Sequence, residues 1–123
     1  MIFVFGSNEA GIHGAGAADY ALKHKGAIWG CGVGAAGQSY ALPTKDYVIR
    51  TLPYESVKKY IVHFLDFAAS HPDLEFQITR IGCGLAGFKD SKIAPLFLPA
   101  PSNCLFDTAW KTYLPNARFW GTF

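Results

Sequence analysis

The chain has 123 residues, of which 50% are hydrophobic and only 16% are charged, so a disordered chain is excluded and one substantial core is expected. The formal net charge is only +2, and the lysines and arginines are scattered, so electrostatics do not indicate a general nucleic-acid-binding protein. We therefore predict a single globular domain over residues 1–123 and leave open the specific recognition of a modified nucleotide.

The cysteines and the first residues indicate the compartment. Cys31, Cys83 and Cys104 are an odd number without metal-ligand or redox spacing, which is typical of a reducing environment. The first residues lack the basic segment of a secretion signal, and no apolar stretch approaches the length of a membrane span. We expect a cytoplasmic protein with no membrane partner.

The first half of the chain alternates strand and helix patterns. Residues 2–5 form a continuous apolar run, which predicts a strand buried on both faces. Residues 15–24 have the composition of a helix. Residues 39–42 predict a short strand that Pro43 ends, and residues 47–49 are compatible with a further extended segment.

The second half begins with the clearest periodicity. Apolar residues spaced as one helical face predict a helix from about residue 53 to residue 70. Residues 74–80 alternate, which predicts a strand that is half exposed or near an edge, and residues 103–106 predict the last core strand. A short helix, capped by Asp90 or Ser91, is expected to end at residue 97. The alternation predicts an α/β layered fold with a central mixed sheet flanked by helices.

Residues 108–123 are aromatic but lack periodicity, so their structure stays open. Trp110, Phe119, Trp120 and Phe123 would be an unusual amount of exposed apolar surface on a monomer. Either this segment folds back on the core or the protein self-associates as a homo-oligomer.

Eleven of the thirteen glycines fall into three clusters, at residues 6–16, 30–37 and 82–87, and each cluster adjoins a predicted strand. Because glycine lets backbone N–H groups approach a phosphate, we expect three loops that converge on an anionic ligand, with tight turns as the alternative. The first cluster is the best phosphate site, since it leads from a strand into a helix. Residues 32–37 match G-x-G-x-x-G but precede a strand, which excludes a Rossmann site, and no P-loop ending is present.

Three segments together resemble a compact macrodomain. They are Ser7-Asn8 with His13-Gly-Ala-Gly-Ala-Ala18, then residues 37–45 (Gly-Gln-Ser-Tyr-Ala-Leu-Pro-Thr-Lys), then residues 79–88 (Thr-Arg-Ile-Gly-Cys-Gly-Leu-Ala-Gly-Phe). The resemblance covers residues 2–106. It implies a macrodomain-like fold that binds ADP-ribose, and it is greatest to the lysine-using branch, which removes ADP-ribose from protein carboxylates or DNA bases.

The resemblance also implies roles for individual residues. Asn8 would hold the distal ribose, and Lys45, preceded by Thr44, would attack the opened distal ribose to form a Schiff base. The two phosphate loops would comprise Gly14, Ala15, Gly16 and Ala17 in the first, and Gly82, Cys83, Gly84, Leu85, Ala86, Gly87 and Phe88 in the second. His13 would be a turn residue or a sugar contact.

Each of these residues also has an ordinary structural interpretation. Asn8 suits an Asx turn, Lys45 a solvated surface position, and Cys83 a small buried apolar position. Phe88, Trp29 and Tyr40 flank the glycine clusters, where each would either stack on a base or pack in the core.

At one position the chain departs from the pattern of the lysine-using branch, and this departure leads to two possible functions. Protein-deacylating members of the branch have an acidic residue where this chain has Ala86, and the DNA-directed antitoxin members look more similar. The first function is therefore an ADP-ribosyl glycohydrolase acting on ADP-ribosylated DNA or protein, and the second is a non-catalytic binder of a signalling nucleotide. Neither needs a cofactor, and no residue cluster has the spacing of a metal site.

Overall fold

The computed structural model describes residues 1–123 and confirms an α/β fold built on one mixed sheet. The elements in chain order are β1 (Ile2–Asn8), α1 (Gly16–His24), β2 (Gly34–Ala36), β3 (Ser39–Lys45), α2 (Tyr54–Ser70), β4 (Phe76–Ile78), α3 (Asp90–Ile93), β5 (Cys104–Asp107) and β6 (Arg118–Gly121). Two 3₁₀ turns, Ala94–Phe97 and Thr108–Trp110, follow α3 and β5.

The strand order is β2-β3-β1-β4-β5-β6, and all neighbours are parallel except β2 and β3. The carboxyl ends of the five parallel strands therefore meet at one edge of the sheet. In open α/β sheets this is the edge where ligands bind.

The two faces of the sheet are covered unequally. On one face, an 18-residue core includes Val57, Ile61, Phe64 and Ala68 of α2, as the predicted helical face requires. On the other face, the core has only six residues, because Phe3 and Phe5 pack against the small alanines of α1. This thin layer lets α1 lie close to the sheet, with its N-terminus at the edge described above.

Two strands are longer than the sequence predicts. β1 continues past residue 5 to Asn8, and β3 continues through Pro43 to Lys45. Pro43 does not end the strand because β2 pairs with β3 only as far as Ala41, so beyond that residue β3 has no neighbour on one side and a missing N–H is tolerated. The prolongation carries Thr44 and Lys45 to the end of the sheet.

The predicted extended segment at residues 47–49 is wrong. Residues 46–50 form a turn in which Asp46 Oδ1 accepts hydrogen bonds from the backbone N–H groups of Val48 and Arg50, at 2.9 and 3.0 Å. Ile49 adopts a φ of 65°, in the left-handed region. The hydrogen bonds of the Asx turn outweigh the β-propensity of Tyr47, Val48 and Ile49.

Two further expectations need correction. β4 is confined to Phe76–Ile78 and lies between β1 and β5, so it is a central strand. Asp90 does not cap α3, because its carboxylate binds Arg80 and Trp110 instead. β5 is the last fully buried strand, as expected, and the partly exposed edge strand β6, which the sequence did not predict, follows it.

The aromatic segment folds back on the core. Trp110 is fully buried and packs on Phe97 and Phe106, and Trp120 Nε1 donates to Ile78 O at 2.9 Å. Only Phe123 stays largely exposed. Intramolecular packing thus accounts for most of the aromatic content that suggested self-association. None of the helices has the length and apolar character needed to cross a membrane.

Candidate functional site

A cleft of about 420 Å³ opens at the carboxyl edge of the sheet. Its floor and walls come from the ends of β1, β3 and β5, the segment after β4, the loop before α1, and residues 82–86. A volume in this range is typical of small-molecule sites. The charged side chains that line it are Lys45, Arg80 and Asp107.

The first glycine loop forms one wall with the N-terminus of α1. Ala15 occupies the N-cap position and provides no side-chain cap, so the N–H groups of Gly16, Ala17 and Ala18 donate to no protein acceptor. The α1 macrodipole adds the equivalent of about half a positive elementary charge at this end. Unpaired N–H groups beside an open cleft form a site for an anion.

The third glycine loop forms another wall. The N–H groups of Gly84, Leu85 and Ala86 have no acceptor within the protein. Gly82 has a φ of 74°, and a Cβ there would lie 3.2 Å from the ring of Phe88. Glycine at this position therefore lets the chain turn over the Phe88 ring and expose its N–H groups on the opposite side.

An ion pair fixes the start of this loop. Arg80 donates from Nε and Nη2 to Asp90 at 2.8 and 2.6 Å, and Trp110 Nε1 donates to the same carboxylate at 2.6 Å. The Arg80 guanidinium, as the main cause, lowers the pKa of Asp90 to about 2. The third loop is thus anchored through side chains to α3 and to the turn after β5.

Lys45 ends β3 at the cleft and is half-buried there. It forms no ion pair, unlike Arg80, so its ammonium or amine group is available to a ligand. Its backbone is held by an antiparallel bridge to Thr51 and by a hydrogen bond from Glu9 N to Lys45 O. Thr44 beside it is buried, and its hydroxyl donates to Ser7 O at 3.3 Å.

Asn8 lies in the cleft but also closes the loop that follows β1. Its Nδ2 donates to Ile12 O at 2.8 Å, and its Oδ1 accepts from Ile12 N at 2.9 Å. One N–H of the amide and one lone pair remain uncommitted. The turn role is therefore present, and it leaves capacity for a ligand contact.

Most of the predicted site residues line the same cleft: Asn8, Gly14, Ala15, Gly16, Ala17, Thr44, Lys45, Gly82, Gly84, Leu85 and Ala86. Four do not, namely His13, Cys83, Gly87 and Phe88. Phe88 packs against Tyr54 behind the loop. Burial raises the pKa of the Cys83 thiol to about 12, which agrees with a packing role.

His13 is fully buried behind the first loop instead of facing the cleft. Its Nε2 lies 3.1 Å from both Ile28 O and Cys31 O, so this nitrogen carries the proton, and its Nδ1 has no partner within the protein. The ring also packs edge-on against Phe5. His13 therefore fastens the first loop to residues 28–31, and its side chain does not line the cleft.

The second glycine cluster is also absent from the cleft, so the expected convergence of three loops holds for two. Its residues form β2 and the turns on either side of it. A Cβ on Gly32 would lie 2.1 Å from Asn8 O, and one on Gly37 would lie 2.9 Å from Gly26 O. These glycines permit backbone segments to touch, and the cluster supports the first loop from behind.

Sequence reasoning missed several lining residues. Asp107 is buried at the end of β5, where its carboxylate accepts from the N–H groups of Ala109 and Phe123 and from the Thr122 hydroxyl. A polar residue directly after a buried strand was the available signal. Phe123 is the one aromatic residue in the cleft, packed against Tyr20 with ring centroids 5.2 Å apart, and no periodicity marked it. Trp29, Tyr40 and Phe88, for which stacking on a base was one of two alternatives, lie outside the cleft.

No protein-family model matches the chain, and neither a curated protein nor a solved structure is significantly similar to it. No group of three or more His, Cys, Asp or Glu side chains is arranged to hold a metal ion. The geometry defines an α/β protein with a cleft at the carboxyl edge of its sheet, lined by unpaired backbone N–H groups and by Lys45.

Proposed function

We propose that the cleft binds ADP-ribose or a related NAD-derived nucleotide, and that Lys45 removes ADP-ribose from a modified macromolecule such as DNA. The observation that carries the proposal is that two loops with unpaired N–H groups and one unpaired lysine line the same 420 Å³ cleft. The resemblance of the three sequence segments to macrodomains supports it.

The phosphate groups of such a ligand fit the two glycine loops. One helix N-terminus stabilises an anion by only about 1 to 2 kcal/mol, so a single loop gives weak binding. The Gly84 to Ala86 N–H groups supply a second set of donors in the same cleft. Two donor sets favour a diphosphate over a single phosphate.

The distal ribose would then lie near Asn8 and Lys45. The spare N–H of Asn8 can donate to a ribose hydroxyl. The bond between the anomeric carbon and the ring oxygen breaks, the amine of Lys45 adds to this opened carbon, and the bond from the carbon to the macromolecule then breaks; the ring oxygen and the departing atom each end with one of the two amine protons. Water then adds to the resulting Schiff base, which releases ADP-ribose and restores the Lys45 amine.

A thermal-shift screen tests the binding step. ADP-ribose at about 100 times its dissociation constant should raise Tm by about 10 °C, because a ligand that binds only the folded state stabilises a domain of this size by mass action. Adenosine monophosphate, which offers one phosphate, should shift Tm much less at the same concentration. Absence of binding by ADP-ribose and by every related nucleotide diphosphate would remove the proposal.

Lys45→Ala tests the chemical step on ADP-ribosylated DNA. Release of ADP-ribose should fall at least a hundredfold because the Schiff base cannot form, whereas ADP-ribose should still bind. Lys58→Ala, which removes an exposed lysine of α2 outside the cleft, is the matched control and should act at the wild-type rate. Wild-type turnover by Lys45→Ala would exclude Lys45 as the nucleophile.

One observation favours a second candidate, a binder without catalysis. Ala86 supplies no carboxylate, and the Asp107 carboxylate is already occupied by three hydrogen-bond donors, so no free acid or base lies in the cleft beside Lys45. This candidate predicts tight nucleotide binding with no release of ADP-ribose from any modified macromolecule. Lys45 would then act as a cation that pairs with the ligand.

A further inference from the structure

The turn after Lys45 holds an isoleucine in a conformation that isoleucine resists. Ile49 has a φ of 65°, and it is the one non-glycine residue of the chain with a positive φ. Asp46 enforces the turn through its side chain and through two backbone hydrogen bonds, Ile49 N to Asp46 O at 3.2 Å and Asp46 N to Arg50 O at 2.8 Å. A β-branched residue is strained here, whereas glycine or asparagine would be relaxed.

Packing in the core does not explain why Ile49 occupies this position. Its side chain is 40% exposed and belongs to neither hydrophobic core. Ile49 lines the cleft and lies two residues before Thr51, the residue whose backbone forms the bridge to Lys45. Strain that the fold does not need and that lies at a cleft is the kind of outlier that points to function.

A second exposed apolar side chain lines the same cleft. Leu85 of the third glycine loop is 75% exposed. The two loops are joined directly, because the Thr51 hydroxyl donates to Ala86 O at 2.9 Å. Ile49 and Leu85 are therefore carried by two segments that are tied together next to Lys45.

We infer that Ile49 and Leu85 form an apolar clamp for an uncharged ring that the nucleotide carries on its distal ribose. The inference rests on the proposed function and adds ligand specificity to it. Apolar side chains favour an uncharged ring through burial, and they disfavour a ring with positive charge, because the charge would lose hydration against them. The strained Ile49 backbone is retained because it presents this side chain to the ligand.

Calorimetry with three related compounds tests the clamp. NADH carries an uncharged ring on the distal ribose, ADP-ribose carries none, and NAD⁺ carries a cationic ring. Wild-type protein should bind NADH about tenfold more tightly than ADP-ribose, given the apolar area a ring buries, and NAD⁺ more weakly than NADH. Equal affinity for NADH and ADP-ribose would overturn the clamp while leaving the proposed function intact, and failure of all three to bind would overturn both.

Two variants locate the effect and one controls it. Ile49→Asn and Leu85→Ala should each remove most of the preference for NADH over ADP-ribose. Val48→Asn is the control, because it also replaces a β-branched apolar residue with asparagine. Val48 is exposed, has no positive φ and does not line the cleft, so this variant should keep the preference for NADH. If Ile49→Asn retained the full preference for NADH, Ile49 would not be part of a clamp.

The same variants measure the strain without any ligand. Ile49→Asn should raise Tm above that of Val48→Asn, since asparagine adopts the left-handed conformation more readily than isoleucine. A Tm for Ile49→Asn below that of Val48→Asn would show that Ile49 stabilises the fold, and the argument from strain would fail.

Discussion

The second and third glycine clusters look alike in sequence and do opposite things in the structure. A Cβ on Gly32, in the second cluster, would lie 2.1 Å from a backbone oxygen, whereas a Cβ on Gly84, in the third, would meet no atom within 4 Å. The second cluster uses the missing side chain to bring backbones together. The third uses it to leave N–H groups open to the cleft.

The two clusters are also held in place by different forces. The second is held against the first loop by close backbone packing and by hydrogen bonds, from Gly30 N to Gly11 O at 2.9 Å and from His13 Nε2 to Cys31 O at 3.1 Å. The third is fixed by side chains, through the Arg80–Asp90 ion pair and the Thr51–Ala86 hydrogen bond. The second and third clusters should therefore respond differently to mutation and to a change of pH.

The largest expected effect is a loss of stability on mutation of the second glycine cluster. Gly32→Ala should lower the free energy of unfolding by about 3 kcal/mol or more, because the added methyl group meets backbone that cannot rotate away. Urea denaturation measures the change. Stability within about 0.5 kcal/mol of wild type would show that the second cluster is not closely packed.

A smaller effect is expected at the anchor of the third loop. Asp90→Asn should lower the free energy of unfolding at neutral pH by about 1.5 kcal/mol, a value discounted because Arg80 is partly exposed to solvent. The pKa of Asp90 is lowered from 3.8 to about 2 in the folded protein. Its contribution is therefore fully present above pH 4 and disappears as the pH falls through 2.

Urea midpoints of wild type and Asp90→Asn, measured from pH 6 to pH 2, check both parts of this prediction. The two should converge toward pH 2. Asp73→Asn, at an exposed carboxylate without an ion pair, is the control and should stay close to wild type at every pH. A difference between Asp90→Asn and wild type that persists unchanged at pH 2 would mean that the ion pair is not its source.

The smallest effect is expected within the third loop itself. Gly84→Ala should change the free energy of unfolding by less than about 1 kcal/mol, since Gly84 has no positive φ and the methyl group meets open space. The affinity for ADP-ribose should nevertheless fall about fivefold, because the methyl group hinders the close approach of a phosphate to the N–H groups. Calorimetry measures the affinity, and an unchanged value would place the phosphate elsewhere.

Local patterns in the sequence predicted the fold better than the site. The spacing of apolar residues in α2 predicted which face of the helix is buried, including Val57 and Phe64, because helical periodicity is a local property of the sequence. The turn at Ile49 was missed because one Asx interaction from Asp46 outweighs three residues with β-propensity. The packing role of the second glycine cluster was missed because it depends on contacts between Gly32 and residues more than twenty positions away.

The cleft was predicted only in part for a similar reason. Strand ends followed by glycine are visible in sequence, so the two open loops were found, whereas Lys45 was found through the resemblance to macrodomains. Packing decides which glycines line the cleft and which contact other backbone segments, and the sequence does not distinguish the two groups. The burial of His13 behind the first loop and the presence of Phe123 in the cleft both depend on chain segments that meet only after folding.

The pairing of β1 also affects how the chain acquires its structure. Ile2 pairs with Phe76 and Phe3 with Ser39, so both neighbours of this strand come from much later in the sequence. On the ribosome, the apolar β1 segment must wait for β3 and then for β4, with no hairpin partner of its own in the meantime. Such distant pairing is typical of slow folding, and the nascent chain is open to aggregation or chaperone capture during this interval.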